Sequence, residues 1–191
     1  MPGLHFVIAA CGLWGLSGSL FWSFAKTRRT MLAVLIATQP GWILHWGLQH
    51  DATAAWMSVL SLLLTVLSAA IGGKPGGALV RWGRRAFLLA LVPVVIICAF
   101  TWNGWLSAFA STGMAVGCLA RWQADGSRFR RLLLATSLPW LAHDALGLSA
   151  PAVASDLFSL ARGCWLEWSL RRAALPKRTR PQLSTARQAA A

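Results

Sequence analysis

The sequence predicts an all-α polytopic membrane protein with seven transmembrane helices, built as two parallel three-helix repeats joined by a linker helix. Three observations carry this reading. Apolar runs of about the length a bilayer requires recur along the chain. Basic residues fall in every second connection between those runs, and segments 98 residues apart resemble one another. Hydrophobic residues make up 57% of the 191 and charged residues only 12%, with a mean hydropathy of +0.57. A soluble domain of this size needs more polar surface than that.

The apolar runs place helices over 4–24, 31–48, 53–71, 86–102, 105–121, 131–147 and 151–169. They are too long, and alternate too little, to be the strands of a membrane barrel. Tyr is absent, and the chain has 12 Trp. Trp22, Trp82, Trp102, Trp105, Trp122 and Trp168 fall at predicted helix ends, where an interfacial aromatic belt belongs.

A net charge of +13 would, taken alone, suggest a nucleic-acid binder. The distribution excludes that class, because phosphate binding needs a contiguous basic surface. Lys26, Arg28 and Arg29 lie between the first two helices; Lys74, Arg81, Arg84 and Arg85 between the third and fourth; Arg121, Arg128, Arg130 and Arg131 between the fifth and sixth. Arg171, Arg172, Lys177, Arg178, Arg180 and Arg187 follow the seventh. The intervening connections, Gln49-His50-Asp51, Asn103-Gly104 and Gly147-Leu148-Ser149, hold no Lys or Arg, so 17 of the 18 basic residues share one side and Arg162 is the exception. The positive-inside rule then puts the N-terminus outside and the C-terminus in the cytoplasm, which requires an odd number of spans. The first apolar run is followed, not preceded, by basic residues, the pattern of a retained helix rather than a signal peptide.

Cys11, Cys98, Cys118 and Cys164 are scattered through apolar runs and read as small packing residues. Composition divides the chain into a first repeat at 1–72, an inner loop and linker helix at 73–103, a second repeat at 104–172, and a basic tail at 173–191 rich in Pro, Arg, Gln and Ala, which reads as disordered.

Shifted by 98 residues, Ala37-Thr38 falls on Ala135-Thr136, Trp42 on Trp140, His45 on His143, Leu48 on Leu146, Ser61 on Ser159 and Gly15 on Gly113. The shared core is Trp-x-x-His, two residue types that are scarce in membrane helices. The shift maps helices one to three onto five to seven and leaves the fourth as linker. Two units of the same orientation follow, with any solute site expected between them near mid-membrane.

His45 and His143, near the outer ends of their helices, are candidate ligand or proton contacts, since imidazole titrates near neutral pH; the plainer reading is an interfacial histidine bonded to a carbonyl. Asp156 lies inside the last helix, where a carboxylate faces a cavity or a partner; His143 and Arg162 are the partners in reach, and a structural ion pair is the plainer reading. Arg162 and Glu167 read as structural. Gly15-Leu16-Ser17-Gly18 has the GxSG form of rhomboid proteases, but its glycines are explained by close helix approach. Symmetry-related His45 and His143 also have the form of a bis-histidine haem site. Gly72-Gly73-Lys74-Pro75-Gly76-Gly77 lacks the Ser/Thr and the strand–helix setting of a phosphate loop.

The three-plus-one-plus-three layout resembles the SWEET sugar transporters and the wider PQ-loop group. That resemblance implies a pocket lined by Trp42 and Ser58 from one repeat and Trp140 and Asp156 from the other, each pair 16 residues apart. The chain departs from the group in having Gln39-Pro40 in place of a Pro-Gln dipeptide. From Gly12 to about Arg172 the chain more closely resembles bacterial inner-membrane proteins of the YgjV family, through Lys26-Thr-Arg-Arg29, His45, Trp140-Leu-Ala-His143-Asp144 and Asp156. This implies an inner-membrane location without an established activity.

Together these features lead to the expectation of a non-enzymatic small-solute transporter without a cofactor. Trp42, Ser58, Trp140 and Asp156 would form its pocket, and His45, His143 and Asp144 its outer vestibule. Membrane lipids and a small solute are the expected partners. The alternatives are a non-transporting membrane scaffold and a haem or redox protein.

Overall fold

The start of each central helix is set by a side chain. Thr27 accepts from the backbone N–H of Thr30 and opens α2 (Arg28–Leu48); Asp125 accepts from that of Arg128 and opens α7 (Gly126–Leu146). Such caps satisfy donors that a helix leaves free in its first turn. The computed structural model describes residues 2–25, 27–71, 78–123 and 125–174. The other described helices are α1 (Pro2–Trp22), α3 (Ala52–Ile71), α4 (Ala78–Leu89), α5 (Leu91–Phe100), α6 (Trp105–Trp122) and α8 (Ala150–Ala174). The described residues are all-helical and contain no strand. The glycine-rich loop at 72–77 and the tail from 175 onward lie outside the described residues.

Four stretches, Gly3–Trp22, Arg28–Leu48, Ala52–Ile71 and Arg81–Phe100, are long and apolar enough to cross a membrane. Helices α6, α7 and α8 have comparable length, but several of their residues are polar and turned inward, which lowers their hydropathy.

Several boundaries differ from those the apolar runs suggest. The fourth expected helix begins at Ala78 rather than 86 and is interrupted at Ala90. Pro93 supplies the reason: it has no N–H for the Leu89 carbonyl, and its ring crowds that carbonyl. Helix α7 begins at Gly126 rather than 131, and α8 runs to Ala174 rather than 169. Basic residues expected in loops, such as Arg81, Arg128, Arg130 and Arg131, therefore sit in the end turns of helices. A helix can run on past the hydrocarbon, so the apolar run marks its minimum length.

Helices α1, α2, α3, α6, α7 and α8 pack in that order into a closed ring, with α1 meeting α8, while α4 and α5 lie against α3 and α6. Small residues permit the closest approaches. A Cβ on Gly15 would collide with the Trp42 indole, and one on Gly113 would come 2.7 Å from that of Trp140. Helix packing in membranes relies on such contacts, because lipid is as apolar as the core. The ring is apolar outside and polar inside: Phe100 is 87% exposed and Trp105 74%, whereas Ser58, Thr65, Ser107, Arg121, Thr136, Ser155 and Ser159 are buried. Trp82, Trp102, Trp105, Trp122 and Trp168 are exposed at helix ends; Trp22 instead packs inside with Met31, Leu32 and Phe129.

Interactions sort by end. At the basic end Arg28 donates to Ser68, Arg130 to the Ala25 carbonyl, and Arg131 pairs with Glu167 at 2.8 Å. At the other end the α2–α3 and α7–α8 turns reach the two histidines. Each turn carries a non-glycine residue with positive φ, His50 (61°) and Leu148 (53°), a conformation that side chains adopt at some cost.

Candidate functional site

The ring encloses a cavity of about 140 Å³, reached by side chains of all six ring helices. At about 10–15 Å³ per water, that is room for roughly ten waters or one small solute. Trp42, Ser58, Trp140 and Asp156 all line it, as does Asp144. Its walls also carry Gln39, Ser61, Ser137, Ser155 and Ser159, and Ser19 and Ser155 share a short hydrogen bond. Pro40 and Pro139 each remove a hydrogen bond from α2 and α7 next to this wall.

One end of the cavity is closed by aromatic rings. Trp42 meets His45 edge-on at 5.7 Å and 77°, and Trp140 meets His143 at 5.3 Å and 78°. Trp46 stacks on Trp42 at 6.2 Å and presents itself edge-on to His45 and His143 at 4.8 and 5.0 Å. The two Trp-x-x-His elements thus share a local geometry and are joined through Trp46, a residue the motif did not mark.

The histidines lie behind these rings, 1% and 0% exposed. The Ile8 carbonyl can only accept, so His45 Nδ1–H donates to it at 2.9 Å. Nε2 is then left to accept from the Ser149 hydroxyl at 2.8 Å and the Gln49 amide at 3.2 Å. His143 faces carboxylates on both sides, Asp144 at 2.8 Å and Asp51 at 3.0 Å. That arrangement suits an N–H at each ring nitrogen. The bonds cross: His45 reaches the α7–α8 turn and His143 the α2–α3 turn, and Ser149 and Asp51 are themselves 98 residues apart. With both nitrogens of both rings engaged, neither histidine presents a free ligand atom to a haem iron. No group of three potential metal ligands occurs among the described residues.

Asp51 belongs to the turn and caps α3, accepting from the Ala54 N–H at 2.9 Å. Burial pushes its carboxyl up, but hydrogen bonds from His143 and Ala54 and the His143 charge outweigh this, holding it below the ordinary 3.8. A depressed pKa contributes stability that is complete above the unfolded value and lost as pH falls through the folded one. Thermal unfolding of the detergent-solubilised protein should therefore show a loss below about pH 4 that Asp51→Asn reduces. An identical acid limb in the variant would refute this role.

Asp156 lies beside Ser137 and Asp144, with Oδ2 buried and without a hydrogen-bond partner among the described residues. Arg162, one partner expected for it, lies instead over Phe24 and Trp165 at 4.8 and 4.5 Å. Ser17 donates to the Trp14 carbonyl on its own helix, and the space beside Gly15 and Gly18 is taken by Trp42 and Thr38. Arg121, which the charge pattern put in a loop, is a buried cavity residue. Its signal was present: Gly113, Gly117 and Arg121 are spaced four apart, on one helix face.

A family model described as bacterial inner membrane protein, Imp-YgjV, matches residues 10–162. No curated protein and no solved structure matches the chain. With most of its length matched, including the whole cavity lining, the chain belongs to the Imp-YgjV family of bacterial inner membrane proteins.

Proposed function

We propose that this protein carries a small polar solute across the bacterial inner membrane through its central cavity. In this reading seven spans cross the bilayer with the N-terminus outside and the basic end in the cytoplasm. The units α1–α3 and α6–α8 are parallel repeats that rock about the cavity, and α4 with α5 is the linker. The observation that carries the proposal is the cavity itself. Polar side chains at membrane depth are costly and are kept where they serve a pathway or a site. Here six helices turn such side chains toward one space.

The repeat reading draws support from pairs 98 residues apart that face that space: Leu35 and Leu133, Gln39 and Ser137, Trp42 and Trp140, Ser58 and Asp156, Ser61 and Ser159. The caps Thr27 and Asp125 and the positive-φ residues His50 and Leu148 follow the same spacing. It is also the layout that the SWEET resemblance implies.

The test is counterflow in proteoliposomes with a panel of radiolabelled sugars, amines, carboxylates and amino acids. At least one solute is expected to move faster than in protein-free vesicles, with Asp156→Asn lowering that flux by roughly tenfold or more while the protein still inserts. If no solute moves, or if the variant carries it at the full rate, the carrier reading fails and a scaffold role takes its place.

A further inference from the structure

Two ionisable groups of opposite kind, Arg121 and Asp156, face the cavity, and neither has a salt-bridge partner among the described residues. Arg121 is 6% exposed. Its Nε and Nη2 donate to Thr65 Oγ1 at 3.1 and 2.7 Å, Nη2 also to Ser61 Oγ at 2.8 Å, and Nη1 to the Gly117 carbonyl at 3.0 Å. All of these partners are neutral, and no carboxylate pairs with Arg121 among the described residues. Burying a guanidinium without a countercharge is expensive, so an anion in the cavity would relieve it. Toward the histidine end, Asp51, Asp144 and Asp156 gather around one imidazole. Asp51 and Asp144 use it, and Asp156 is left with an unpartnered oxygen.

The two groups line one cavity. Asp156 lies beside Ser137, whose chain neighbour Thr136 stands 3.9 Å from a Cβ built on Gly117; that Cβ would be 3.0 Å from Arg121 Nη1. The cavity that both groups line, about 140 Å³, has the size of one small solute. The indoles of Trp42 and Trp140 line the same space, and aromatic faces attract ammonium groups.

We propose that the cavity ligand is a small zwitterion of the amino-acid class. Its ammonium rests on Asp156 beside Trp42 and Trp140, and its carboxylate on Arg121. This deepens the carrier reading and rests on the cavity being a solute site. A sugar would leave both charges unanswered, and a simple amine or carboxylate would answer one.

The test is thermal stabilisation of the full chain in detergent, titrated with glycine, β-alanine, γ-aminobutyrate and 6-aminohexanoate against ethylammonium, propionate and glucose. One or more zwitterions are expected to raise Tm with an apparent affinity at least about tenfold above either single-charge fragment, and affinity should pass through an optimum along the series. Arg121→Gln should reduce the best zwitterion to the ethylammonium level, and Asp156→Asn to the propionate level. If Arg121→Gln does not fold, the wild-type panel and Asp156→Asn decide. The proposal is overturned if glucose or a single-charge fragment binds as tightly as the zwitterions, or if no zwitterion raises Tm. Zwitterion binding without counterflow would leave the ligand class standing and remove the carrier reading. Counterflow of glucose alone would do the reverse.

Discussion

Replacing His143 by Ala is expected to lower the unfolding free energy by about 3–5 kcal/mol, the range for removing one partner of a buried ion pair. The imidazole is fully buried between Asp144 and Asp51, and its faces and edges are enclosed by Trp46 and Trp140. Without it two carboxylates face one void. Its counterpart His45 makes three hydrogen bonds against two, but to a carbonyl, a hydroxyl and an amide. Losing neutral partners costs about 1–3 kcal/mol. Thermal unfolding of the two Ala variants under one detergent condition therefore separates charge from hydrogen bonding. Equal losses would show that the carboxylates flanking His143 contribute nothing beyond ordinary hydrogen bonds.

Replacing Trp46 by Ala is expected to cost about 3–5 kcal/mol, as for other buried aromatic truncations. Trp46 is 3% exposed, packs with Ala54 and Ala152, and touches three aromatic rings. In a membrane the loss comes from the void and from missing dispersion contacts rather than from transfer to water. The indole joins His45 to His143, so the variant should also loosen the turns those histidines hold. Amide hydrogen exchange at residues 49–51 and 147–149 checks this; unchanged protection there would mean that each turn is held without the aromatic bridge.

Much of this arrangement was legible in the order of residues. Local signals survive folding: apolar runs mark helices, and Trp-x-x-His elements at a fixed spacing arrive in matching surroundings. Asp156 stands out because a carboxylate in an apolar run is rare. The long-range partners were not legible. Asp51, Ser149 and Thr65 read as ordinary turn or helix residues until α7, α2 and α6 bring His143, His45 and Arg121 against them. Arg121 was misread because it follows an apolar run and precedes other basic residues, the setting of a loop cation. Only its register with Gly113 and Gly117 marks it as inward-facing. The break at Ala90 was missed for a different reason: Pro93 was present, but an otherwise apolar run masked its effect on the carbonyl one turn back.

The crossed hydrogen bonds also set a schedule for synthesis. Ser149 follows His45 by 104 residues, and at about 5–20 residues per second the wait is roughly 5–20 s. Asp51 waits for His143 in the same way. For most of that interval the first three helices are already made while their buried polar groups lack their final partners. The newborn first half is therefore a guest of water, lipid headgroups or the insertion machinery, and it becomes self-sufficient only when the last hairpin arrives.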